Sequence, residues 1–485
     1  MINGTINQDR IPLVEAMRNY YKDIKIPFDV PIHKRGQGNR ELEEFMSEGC
    51  TMFDFNSSDS LDNILSPHGV IRHAEKLMAE AFGAKEALFM VNGTSSAVQT
   101  MIIASCSPGD KIILPRNVHI SVINALIIAG AIPIYVSPGF NERLGLALGV
   151  SIEDLICAIK ENPDAKAILV NNPTYYGICS NLKKIVEIGH KHNMLVLVDE
   201  AHGTHNYFYE KSPLTAMQAG ADFSAISMHK TGGALTQSAV LLVGIDIEYS
   251  DILLRANLLR TSSASYILMS SLDIARRNLV KKGFIRNQKM ICMANYARER
   301  INTIEGFYSW GKELCDGKYV FDVDETKLCI NVSGTGISGN EIYKELASKY
   351  HIQLEVADSN NVLALIGDSD TEEDIDNLIT ALKKIKKNQS NERCLRNTIY
   401  SVVPTICMIP RDAFFASKES IELKESVNKI SGENIMCYPP GIPVVTMGEL
   451  ITRELIEYIE EVRENGCVIV GAKDPVLNKI QIVKV

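Results

Sequence analysis

Phe223-Ser224-Ala225-Ile226-Ser227-Met228-His229-Lys230-Thr231-Gly232-Gly233 is an apolar run that breaks into a small, polar turn carrying one lysine. Upstream, Met194-Leu195-Val196-Leu197-Val198 is a second apolar run, and it ends in Asp199-Glu200-Ala201-His202-Gly203. Short, continuous apolar runs predict strands buried on both faces. Two such strands deliver an acid and a lysine at their C-terminal ends, where open α/β sheets place their ligands. A lysine that can form a Schiff base, with a carboxylate aimed at a pyridine nitrogen, is the minimum equipment for pyridoxal 5'-phosphate (PLP) chemistry. A lysine after a strand is more often a plain surface residue. Against that, the small neighbours Ser227, Gly232 and Gly233 suit a site where backbone approaches a ligand. His229, beside the lysine, suits phosphate binding or proton transfer.

Outward from these two runs, the chain alternates between strand and helix patterns. Further strands are predicted at Ala87–Val91, Lys111–Leu114, Ile132–Val136, Ala167–Asn171 and Ala239–Val243. Helices fit between several of them; Ser151 is placed to cap one, with Ile152, Leu155, Ile156 and Ile159 on one face. The alternation predicts an α/β fold with a mostly parallel sheet in a large domain. A long helix is predicted over roughly 265–303, then smaller α/β domains toward the C-terminus. The predicted segments are an N-terminal arm (1–70), a large cofactor-binding domain (71–290), a small α/β domain (291–387) and a C-terminal module (388–485). The basic stretch from Lys383 to Ser390 reads as a linker, and the last module carries Tyr438-Pro439-Pro440-Gly441-Ile442-Pro443.

Other candidate residues sit at other strand ends. Asn92-Gly93-Thr94-Ser95 is a small polar turn opening a helix, where unpaired backbone N–H groups attract phosphate. A plain N-cap is an equal alternative. His119 follows the strand that ends near Leu114, and an imidazole there is placed to stack on a cofactor ring. Asn171-Asn172-Pro173-Thr174-Tyr175-Tyr176-Gly177 is a further rim loop, with residues that a turn also favours. His202 and His205 lack a third ligand at convincing spacing, so no metal site is expected.

Composition narrows the class. The chain has 485 residues, 46% hydrophobic and 22% charged, as in a soluble globular enzyme. A net charge of −9 argues against nucleic acid or an anionic membrane as the main partner. The apolar stretch from Ile120 to Val136 is interrupted by Asn124, Gly130 and Pro133, so it reads as a helix and a strand, not a membrane span. The 11 cysteines form no C-x-x-C pair, which fits a reduced cytoplasmic setting.

The run Ala225–Ala239, with Ser227-Met228-His229-Lys230 at its heart, resembles the PLP-attachment signature of the ornithine/lysine/arginine decarboxylases. Pro31-Ile32-His33-Lys34, Asn92–Ser95, Asp199–Gly203, Thr261–Tyr266 and Tyr438–Pro443 extend the similarity over most of the chain. The resemblance implies an aspartate-aminotransferase-like fold (PLP fold type I) that works as a homodimer or multiple of dimers. It also implies decarboxylation of a basic amino acid. By position, it makes Lys230 the Schiff-base lysine, pairs Asp199 with the pyridine nitrogen, stacks His119 on the ring and packs Ala201 on the other face. Gly93, Thr94, Ser95, Ser227 and His229 would hold the phosphate, and His202 would line the cofactor. Thr261 would reach a phosphate across the dimer interface. Ile32 departs from the glycine often found there. The C-terminal Pro-Pro-Gly-Ile-Pro and the short segment before His33 look most like the compact biosynthetic-type arginine decarboxylases. Lysine and ornithine are the alternative substrates; an aminotransferase, a lyase or a non-catalytic partner are the rival functions.

Overall fold

A computed structural model describes residues 7–385, 405–438, 442–464 and 468–484. The predicted linker after Ile385, and Pro439-Pro440-Gly441, lie outside the described residues. In chain order, the longer helices include α1 (Pro12–Asp23), α2 (Val70–Phe82), α3 (Thr94–Ser105), α4 (Ile120–Ala129), α5 (Ile152–Glu161), α6 (Leu182–Lys191) and α7 (Tyr266–Ile301). The strands are β1 (Glu86–Met90), β2 (Lys111–Pro115), β3 (Ile132–Val136), β4 (Ala167–Asn171), β5 (Leu195–Asp199), β6 (Phe223–Ile226) and β7 (Ala239–Val243). All seven predicted strands are present. Two compact units interleave along the chain, one built from Met1–Ala104, Leu197–Glu210 and Leu214–Phe284, the other from Ser105–Val196, Lys211–Pro213 and Ile285–Val485.

In the first unit, β5 pairs parallel with β6, β6 antiparallel with β7, and β7 antiparallel with β1. The register sets Asp199 opposite Ala225. Parallel neighbours end on the same edge, so the loops after β5 and β6 emerge side by side. The core under them includes Ile71, Ala74, Met78 and Phe82, one face of α2, packed with Phe89, Ile226 and Leu272. Phe82 also meets Tyr207 and Phe208 edge-on, with ring centroids 4.9 and 5.1 Å away. Those rings seat the short helical turn Thr204–Phe208 that continues the loop after β5.

In the second unit, β2 pairs parallel with both β3 and β4. Ser151 caps α5 as its sequence predicts, accepting from the Asp154 amide. A four-stranded antiparallel sheet (Tyr308–Ser309, Lys327–Asn331, Asn361–Leu365 and Val356–Ala357) packs with helices Gly339–Tyr350 and Glu372–Lys384 around a core of its own. The C-terminal region adds a third core from Ile435, Val445, Ile459 and Ile480.

One buried ion pair ties that C-terminal region to the end of β2. Arg116 makes two hydrogen bonds to Glu449, at 2.8 and 2.9 Å, and a third to the Val444 carbonyl. Both side chains are almost fully buried. Removing one partner strands the other charge away from water, at about 3–5 kcal/mol. Arg116→Met is therefore expected to lower the thermal midpoint markedly. Arg116→Met with Glu449→Gln should recover part of that loss, because the amide still accepts from the Thr446 N–H that Glu449 now binds. An unchanged midpoint in the single variant would show that the pair contributes nothing.

Candidate active site

The turn after β6 is one wide helical turn, Met228–Gly232, entered through Ser227. The Ser227 hydroxyl bonds to that of Thr94, at the start of α3, which places the lysine turn beside the predicted phosphate cup. Gly93, at the mouth of α3, has φ +80°, a conformation that favours glycine. A Cβ placed there would meet nothing nearer than the Ser95 N, 4.0 Å away, so the space in front of the helix start is open. The Thr261 N–H donates to Asn92 Oδ1 at 3.3 Å, placing the Thr261 run beside the same cup. Ser262 and Ser263 are exposed.

Lys230 is exposed, and its Nζ lies 2.9 Å from Nε2 of buried His202. The neighbouring His229 bonds the Ser238 carbonyl through Nδ1 at 3.0 Å. A carbonyl only accepts, so Nδ1 carries the proton and Nε2 is the variable nitrogen. Asp199, 8% exposed, accepts from the Ala201 N–H at 3.2 Å. The hydroxyl of Thr231 is buried with no hydrogen-bond partner. Of the predicted residues, Gly93, Thr94, Ser95, Asp199, Ala201, His202, Ser227, His229, Lys230 and Thr261 belong to the first unit. His119 belongs to the second, as the cap of α4, where its Nδ1 accepts from the Ser121 N–H at 3.2 Å. No group of three His, Cys, Asp or Glu among the described residues is arranged to hold a metal.

The loop carrying His33 is built by left-handed backbone at Lys34, Arg35 and Gly36. His33 there binds Asp54 at 3.1 Å and accepts from the Gly36 N–H. The bend thus falls after Ile32, at residues beyond the position where the resembling family often has glycine.

Glu200 is a site residue that pattern reading missed. It accepts from Tyr207 Oη at 2.6 Å, Ser224 Oγ at 2.8 Å and the Ala216 N–H at 3.0 Å. These come from the 204–208 turn, from β6 and from a helix start, so Glu200 pins the loop between Asp199 and His202 to three elements. The available signal was its place directly after a buried acid at a strand end.

Two family models match the chain: the major domain of the Orn/Lys/Arg decarboxylases over residues 11–374, and their C-terminal domain over residues 393–470. The chain belongs to the Orn/Lys/Arg decarboxylase family. It is similar to the arginine decarboxylase of Bacillus subtilis (strain 168), at 40% identity over 99% of each chain. It is also similar to the arginine decarboxylase of Halalkalibacterium halodurans, at 40% identity over 98% of each chain. Its fold matches the crystal structure of the Francisella novicida lysine decarboxylase LdcF with a TM-score of 0.85, at 21% identity over 98% of this chain and 82% of that one. The fold is therefore PLP fold type I, as the sequence predicted, and the family is one of decarboxylating enzymes.

Burial pushes Glu200 up from its ordinary 4.5 to about 8, against the hydrogen bonds it accepts, and the charge of Asp199 adds to the rise. Between those values the folded chain holds a proton that the unfolded chain releases. The stability this proton confers is fully present below the unfolded value and is lost as pH rises through about 8. In Glu200→Gln the amide holds the same place uncharged, since the Tyr207 and Ser224 hydroxyls accept as well as donate. Melting curves at about pH 5.5 and about pH 8.5 should show a larger loss in the wild type than in the variant. Equal losses would mean that Glu200 is ionised throughout.

Proposed function

We propose that this protein uses PLP to decarboxylate L-arginine, giving agmatine and CO₂. The observation that supports the cofactor is that one unit holds an amine, a buried carboxylate and a helix start with open space beside Gly93. The donor set fits: α3 amides and the Thr94 and Ser227 hydroxyls for a phosphate, Lys230 for an aldehyde, Asp199 for a pyridine nitrogen. The unpartnered Thr231 hydroxyl, one residue after Lys230, is a further group that a bound ligand would satisfy. The comparisons support the substrate: the relatives named as arginine decarboxylases are 40% identical over nearly the whole chain.

Bound PLP supplies an electron sink for the pair left when the Cα–carboxylate bond breaks. The chain's residues do the rest. Lys230 would hold the cofactor through its aldehyde carbon, and Asp199 would keep a proton on the pyridine nitrogen by its negative charge. His229, whose Nδ1 donates to the Ser238 carbonyl, would return a proton to Cα through Nε2; Lys230 is the other donor within the same turn. His119 stacking on the ring and Ala201 packing beneath it belong to the same proposal, as does a reduced cytoplasmic setting. The eight cysteines whose side chains are described are free thiols. Among the described residues no helix is long and apolar enough to cross a membrane.

A pocket shaped for a planar guanidinium leaves acceptors unpaired when it holds a compact ammonium, at roughly 1–3 kcal/mol for each buried group. Each 1.4 kcal/mol is about tenfold in kcat/KM. With arginine, lysine and ornithine offered at equal concentration, agmatine should exceed cadaverine and putrescine about tenfold or more. Dominant cadaverine or putrescine would keep the decarboxylase and refute arginine; a keto acid without CO₂ would refute both.

The active form is proposed to be a homodimer in which the Thr261–Ser263 run, with Ser262 and Ser263 exposed, completes the partner's site. Mixing Lys230→Ala chains with Thr261→Ala/Ser262→Ala chains should then restore activity, because each hybrid contains one intact site. Confirmed subunit exchange without recovery would rule out a shared site.

A further inference from the structure

The contact between Lys230 Nζ and His202 Nε2, at 2.9 Å, constrains the protons on both groups. An ammonium has no lone pair, and neither has an imidazolium. A hydrogen bond between the two nitrogens requires that one facing atom be unprotonated. Either a neutral imidazole accepts from the ammonium, or a neutral amine accepts from Nε2–H. The two states differ by the transfer of one proton along the hydrogen bond.

The fold holds the imidazole side of this contact firmly. His202 is 6% exposed, whereas Lys230 is exposed. The Gly203 N–H bonds the Glu200 carbonyl at 2.9 Å, and the Glu200 carboxylate is itself fixed by three donors. Thr204 Oγ1 donates to the Ser227 carbonyl at 3.1 Å, which locks the histidine loop to the lysine turn. The Thr204 side chain lies so close to the lysine turn that a Cβ on Gly232 would come within 3.1 Å of Thr204 Cγ2. Asp199, Glu200, His205 and Tyr207 on residues 199–208, and His229 on the turn Met228–Gly232, are the other titratable groups of these two segments.

We infer that His202 is the proton partner of Lys230: its Nε2 takes the proton that the ammonium must lose before the amine can attack a carbonyl carbon. In that step an Nζ–H bond breaks, an Nε2–H bond forms, the electron pair stays on Nζ, and the pair's total charge is unchanged. This deepens the function proposed above and rests on its choice of Lys230 as the capturing amine.

The test compares wild type, His202→Gln and His202→Ala as apoproteins, with melting curves to confirm the fold. The glutamine oxygen accepts a hydrogen bond from an ammonium but does not take its proton. Trace acetylation at neutral pH, mapped by mass spectrometry, reads the reactivity of Lys230 against that of well-exposed Lys424. Labelling of Lys230 should fall about tenfold in both variants. The rate of covalent PLP capture, followed by visible absorbance, should fall with it. Wild-type labelling in the glutamine variant would overturn the inference, leaving His202 as a positioning residue only. Wild-type labelling in both variants would overturn it entirely. A fall in labelling with PLP captured at a different lysine would sustain the inference about His202 and refute the functional proposal instead.

Discussion

The parallel pairing of β5 with β6 is the constraint on which the site depends. It sets Asp199 opposite Ala225, so both strands end on one edge and release their loops together. Everything after that is attachment. Thr204 grips the Ser227 carbonyl, Ser227 grips Thr94, and Glu200 grips three surrounding elements. An acid, a histidine, a lysine and a helix start are held by backbone geometry, with few side chains free to drift. Such fixing is what a reaction governed by orientation needs. Glu200 is buried although burial raises its pKa, and its contacts to Tyr207, Ser224 and Ala216 tie its loop to three elements.

Much of this was legible in the sequence because the deciding features are local. Continuous apolar runs gave the seven strands, and the residues just past their ends gave Asp199, Lys230 and the cup at Gly93. Ser151 capped its helix as its spacing to Asp154 requires. What was not legible depends on distant partners. Arg116 and Glu449 are separated by 333 positions, and neither residue announces a buried pair. Glu200 looked like an ordinary polar residue because its donors come from Tyr207, Ala216 and Ser224, which only the folded loop assembles. The Lys230–His202 contact likewise joins two loops that are distant in sequence and adjacent through the β5–β6 pairing.

The division between family and substrate follows the same physics. In the proposed reaction the elements that hold Asp199, Lys230 and the cup would serve any substrate whose bond breaks at Cα, and they lie within residues 11–374, which match the family's major domain. Selection among basic amino acids rests on groups that meet the far end of the substrate, where a guanidinium and an ammonium ask for different geometries. Similarity over nearly the full length supports the arginine proposal, and the proposed chemistry is assigned to the loops after β5 and β6.

The central claim is that the β5–β6 edge delivers Lys230 as the one covalent anchor. Reduction of the PLP-loaded protein with borohydride, followed by peptide mass spectrometry, tests it directly. The account predicts a phosphopyridoxyl group on Lys230, and none on a Lys230→Ala chain. The same group on another lysine, or undiminished labelling of the Lys230→Ala chain, would contradict it.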